Sequence, residues 1–90
     1  MPSVANAYTL QRNITIDVAS VPGGSVQEES FTVNGLKDSQ VVVVNKHGDD
    51  NGLFLIQAKV TADDTLALTF YNPTGSAINP ASQTFKVVAL

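Results

Sequence analysis

The side chains able to carry chemistry are few. His47 is the only histidine. It stands in Asn45-Lys46-His47-Gly48-Asp49-Asp50, where the catalytic reading is a general base beside carboxylates. A base of that kind needs a nucleophile to activate and a group to orient it. The chain offers no second histidine and no nucleophile elbow, so His47 reads as a solvated loop residue. Asp49-Asp50-Asn51-Gly52 and Asp63-Asp64 offer oxygen ligands. Calcium takes about six to eight of them at suitable spacing. The first run lacks the alternating order of a calcium loop and has no bidentate Glu downstream. Asp and Asn also bond their own backbone and tolerate unusual dihedrals, so both runs read as turns, and Asp63-Asp64 as the turn of a hairpin.

Other chemistries fare no better. The chain has no cysteine, which removes thiolate metal sites and disulfides, and a lone histidine argues against structural zinc. Sugar-binding sandwiches use exposed aromatic platforms. There is no tryptophan; Tyr8 lies near the N-terminus, and alternation places Tyr71 on the face opposite Phe70. Gly23-Gly24 reads as a turn and not as a phosphate cradle, because no helix follows it. The expectation is a protein with no catalytic residue, no metal ligand and no cofactor, and not an enzyme.

The elements that remain are structural. Ninety residues make one domain, and a chain this short buries only about 60% of its unfolded surface. With no disulfide or metal to help, oligomerisation is the common remaining route to stability. Hydrophobic residues make up 43% of the chain and charged residues 14%. Average usage is about 25% charged, so part of this surface is expected to be covered. Net charge is −3, and Arg12, Lys37, Lys46, Lys59 and Lys86 stand apart. No basic stripe exists for nucleic acid. The longest apolar runs, Val41 to Val44 and Leu53 to Ile56 among them, are four residues long and too short to span a bilayer. Met1-Pro2-Ser3 is not the start of a secretory signal, and synthesis in a reducing cytoplasm is expected.

The apolar spacing predicts strands throughout. Ile14, Ile16 and Val18 alternate with Asn13, Thr15 and Asp17, and Val21-Pro22-Gly23-Gly24-Ser25 ends that strand. A second strand spans 26–33, with Phe31 and Val33 on one face, and Asn34-Gly35 turns the chain. The third spans 40–46; its four valines predict a central strand or one covered on its outer face. A fourth, 53–61, is expected to face Phe54, Ile56, Ala58 and Val60 inward. Its hairpin partner, 65–71, would send Leu66, Leu68 and Phe70 inward. A shaped loop between Asn72-Pro73 and Asn79-Pro80 leads to the last strand, 83–90, with Phe85, Val87 and Ala89 inward. The expected fold is all-β, a small antiparallel β-sandwich or jelly-roll-like barrel of about six to eight strands. Residues 1–12 form an arm and residues 13–90 a single domain.

Several apolar residues fall on the face away from that predicted core: Val42, Val44, Leu55, Ala67, Val88 and Leu90. Together they could form one patch, the mark of an interface. The arm adds Val4, Tyr8 and Leu10, and an extended arm can pair with a neighbour's strand edge.

The runs FTVNGLKDSQVVVVNK, GLFLIQAKVTADDTLALTFYN and NPTGSAINPASQTFKVV resemble small structural proteins of tailed bacteriophages. In these, a strand ending FTV-x-GL leads to VVVNK. A GL…A-x-V segment, an ADT-type turn and L-x-F-x-N-x-T follow, and the chain closes on G-x-AI-x-P-x-S-x-T-[FY]. The likeness covers about residues 30 to 90. It implies a virion component, most specifically a head decoration (cement) protein on the capsid surface. It further implies the major capsid protein as partner and, by analogy, a homotrimer. It carries no catalytic residues. A tail, neck or fibre module and a host-surface or sugar-binding sandwich are the alternatives.

Overall fold

Among the described residues six strands form: β1 (Leu10–Ile16), β2 (Val26–Thr32), β3 (Val42–Lys46), β4 (Phe54–Ala62), β5 (Thr65–Tyr71) and β6 (Gln83–Ala89). The computed structural model describes residues 10–46 and 52–90. Two three-stranded antiparallel sheets result, one ordered β1-β6-β3 and the other β2-β5-β4. The described chain is therefore the all-β sandwich expected from its alternation. Strand β1 starts at Leu10, opposite Ala89, so residues 10–12 belong to a sheet and not to the arm. Only β4 and β5 are sequence neighbours within a sheet; every other connection crosses to the opposite layer.

Position in the sheet explains burial. Strand β6 is central and sends Phe85, Val87 and Ala89 into the core. Strand β5 is central too, with Leu66, Leu68 and Phe70 inward and its outward Ala67 and Thr69 also buried. The two central strands meet through Phe70 and Phe85, whose rings lie edge-to-face at 6.4 Å between centroids. Such a pair adds about 1 kcal/mol beyond the area it buries. Ile16, Val18, Val21, Val33, Leu36, Leu53 and Val60 complete the core. On the outer side of β5, Lys59 from β4 reaches Glu28 from β2 at 3.6 Å. Both side chains are half exposed, so the pair contributes under about 1 kcal/mol.

Two expectations about facing change. Among the described residues β3 is an edge strand, not a central one, and none of them covers its outer face. Val42 pairs with Ala89 and Val44 with Val87, both partners being fully buried. That register turns Val42 and Val44 into the core and Val41 and Val43 out. Strand β4 changes face partway. Leu55 pairs with Phe70, but the next partner of β5, Thr69, pairs with Gln57, so Ile56 is the extra residue of a bulge. One inserted residue shifts the side-chain parity. Leu53 and Leu55 point inward before the bulge, Ala58 and Val60 after it, and Phe54 and Ile56 are left outside.

Turns at the two ends are tied together by side chains. At one end the β4–β5 turn and the 33–40 segment share a network. The Asp64 carboxylate accepts the Gly35 N–H at 2.8 Å and the Asp63 carboxylate accepts the Asp38 N–H at 3.0 Å. Val33 N–H donates to the Asp64 carbonyl, and Asp64 N–H to the Leu36 carbonyl. At the other end Asn72 is fully buried. Its amide donates to the carbonyls of Val21 and Ser76, and its Oδ1 accepts from the Thr74 N–H and hydroxyl. A buried amide with all its partners supplied is stabilising, whereas the same amide unpaired would not be. Val21 and Ile78 exchange backbone hydrogen bonds beside it, which gives the 72–80 loop its shape.

Candidate interaction surface

Among the described residues two apolar surfaces are exposed on the sheets, and register builds both. On the outer face of the β1-β6-β3 sheet, Val43 stands opposite Val88. Leu90 N–H donates to the Val41 carbonyl at 2.9 Å, which extends the ladder by one more row. Because Val42, Val44, Val87 and Ala89 face inward, Val41, Val43, Val88 and Leu90 must face outward. Val41 is 62% exposed, Val43 58% and Leu90 50%. Val88, flanked by Val43 and Gln11, is half-buried. Farther along this face Asn13, Lys86 and Asn45 form a polar row. Lys86 is the one charged residue at an outward position of these three strands among the described residues.

The second surface lies on the outer face of the β2-β5-β4 sheet. Val26, Tyr71 and Phe54 form one cross-strand row. Ile56, displaced outward by the bulge, adjoins it. Phe54 and Ile56 are each more than half exposed. The two surfaces sit at opposite ends as well as on opposite faces. The first adjoins the Asp63-Asp64 end, where the Gln40 amide donates to the Leu90 carbonyl at 3.3 Å. The second adjoins the Asn72 end.

Of the interface residues expected from the sequence, Val88 and Leu90 lie on the first surface. Leu10, Val42, Val44 and Leu55 instead pack against the core. Ala67 faces outward but is buried between β2 and β4. Val4 and Tyr8 lie outside the described residues, as do His47, Asp49, Asp50 and Asn51. Sequence reasoning did not single out Val26, Val41, Val43, Phe54 or Ile56 as outward apolar positions, whereas Tyr71 lies on the face opposite Phe70, as alternation placed it. In Val41 to Val44 and Leu53 to Ile56 both parities are apolar. Only strand pairing and the bulge decide which half is exposed.

The polar side chains singled out for chemistry are used structurally where they are described. Asp63 and Asp64 accept backbone N–H groups of the facing turn. Gly23 and Gly24 shape the turn into β2, with the Gly24 N–H donating to the Asn72 carbonyl. Among the described residues no group of three His, Cys, Asp or Glu is placed to hold a metal ion. What the described residues expose is therefore shape and apolar area, while their turn carboxylates are engaged with backbone N–H groups. Compared with family models, curated proteins and solved structures, the chain matches none.

Proposed function

We propose that this chain is a non-enzymatic structural protein of a phage virion, a capsid decoration (cement) protein that binds the major capsid protein and braces the head as an oligomer, with a trimer favoured by analogy. The observation that carries the assembly role is the outward quartet Val41, Val43, Val88 and Leu90. A small sandwich with so little charge gains stability and solubility by covering such a surface. The motif resemblance over residues 30 to 90 supports the virion setting. The acidic balance and scattered cations speak against nucleic acid as the partner.

A tail, neck or fibre module is the second reading, favoured by the presence of two separate apolar surfaces, which suit a link between unlike neighbours. Copy number separates the two. Quantitative mass spectrometry of purified particles should find this chain in amounts comparable to the major capsid protein. A handful of copies per particle would favour the tail or neck reading. Absence from the particle would end both.

A further inference from the structure

We infer that the outer face formed by Val41, Val43, Val88 and Leu90 is covered by residues 1–9 of a second copy of this chain. This deepens the self-association proposed above and rests on it. Strand β1 begins at Leu10, paired with Ala89, at the same end of the sheet as the exposed quartet. The nine residues before it, MPSVANAYT, carry no charged side chain. An extended segment advances about 3.3 Å per residue, so nine residues reach roughly 30 Å. A three-stranded sheet is only about 10 Å across. The segment is thus long enough to leave its own domain and cross a neighbour's face.

Composition fits the occupant to the face. Residues four apart share a side of an extended chain, so Val4 and Tyr8 would be presented together to an aliphatic surface whose sheet bears only Lys86 as an outward charge. The chain's own face is the poorer target. A segment folding back on it must reverse close to Leu10, and tight reversals use Gly, Pro, Asn or Asp. None of these occurs from Ala7 through Arg12.

The absence of native cysteine makes disulfide trapping a clean test in the full-length protein. Tyr8→Cys and Val43→Cys are made singly and together, with Tyr8→Cys/Thr15→Cys as control, since Thr15 lies at the opposite end of β1. Circular dichroism and thermal melting establish that each variant is folded. On mild oxidation the Tyr8→Cys/Val43→Cys protein should give covalent dimers and larger species. A mixture of the two single variants should give the mixed dimer, and the control pair should not. Separately, Tyr8→Ser and Val43→Ser should each weaken self-association by at least about tenfold, from lost apolar burial. Added salt should have little effect, because the contact is uncharged. A disulfide formed only within one chain would overturn the inference, placing the segment on its own face. Cross-linking no greater than in the control would overturn it too. Copy number on the particle is measured independently. A decoration protein without the cross-link defeats only this inference, and the cross-link without particle association defeats only the virion reading.

Discussion

Gly35 donates its backbone N–H to the carboxylate of Asp64 at 2.8 Å, and so one turn holds another. Asp64 has a φ of 60°, a left-handed conformation that Asn and Asp tolerate better than most residues. Two properties are combined in one side chain: conformational tolerance and an acceptor for the facing turn.

Substitutions can separate those properties. Asp64→Gly keeps the backbone and removes the acceptor, and should cost about 1 kcal/mol. Asp64→Ala loses both and should cost roughly a further 1 kcal/mol. Asp64→Asn keeps both in part and should stay nearest the parent. Urea denaturation of the three variants reads this order directly. Equal stability of Gly and Ala variants would show that the φ carries no penalty.

Asn72 should be among the least replaceable polar residues. Asn72→Ala removes four hydrogen bonds in a fully buried position. It leaves the Val21 and Ser76 carbonyls without that donor, for a loss of about 3 kcal/mol. Asn72→Asp retains the acceptor but sets a negative charge against those carbonyls, and should be at least as destabilising at neutral pH. Thermal melting of both variants provides the check.

Two glycines of the same end make a contrasting pair. A Cβ on Gly23 would lie 2.7 Å from the Gly75 carbonyl carbon and 2.8 Å from Ser76 N, both backbone atoms. One on Gly75 would meet nothing within 4 Å. Gly23→Ala should therefore lower stability by about 2 kcal/mol, and Gly75→Ala should change it by less than about 0.5 kcal/mol. Equal behaviour would mean that the two segments are not in contact.

The facing of β3 and β4 can be tested with neighbouring residues. Val44→Ser and Leu55→Ala remove core contacts and should cost about 1 and 2 kcal/mol respectively. Val43→Ser and Ile56→Ala act on exposed positions and should leave unfolding of the isolated chain within about 0.5 kcal/mol of the parent. Chemical denaturation at low protein concentration keeps association out of the comparison. A reversal of the order in either strand would reject the register assigned to it.

Much of this architecture was legible in the residues. In β5 and β6 a single parity is rich in large apolar side chains, so Leu66, Leu68, Phe70, Phe85 and Val87 declared the core. Asp63-Asp64 declared its turn through side-chain chemistry. Facing was not legible where both parities are apolar. Val42 and Val43 are the same residue type and differ only in which lies opposite Ala89. Ile56 is a bulge because of pairing with β5, and Ile has no local property that marks an inserted residue. In β3 and β4 the outward apolar side chains are thus of the opposite parity to the one expected, and in β6 of the same parity. Asn72 marks the start of a loop in the sequence, but its burial depends on Val21, which arrives from far away in sequence.

The pairing of β1 with β6 also governs how the chain acquires its shape. Leu10 and Ala89 are ladder partners, and β6 lies between β1 and β3. Until the last strand is in place, the first and third have nothing to bond to. The β4–β5 hairpin is the one sheet pairing that can close locally. Loop closure over nearly the full chain precedes any reward from the other layer, so folding should be slow for a domain of this size, on the order of milliseconds to seconds. During synthesis, β1 and β3 would wait as unpaired edges for β6 to emerge, and that interval is when the chain is most open to capture by a chaperone or by another nascent copy.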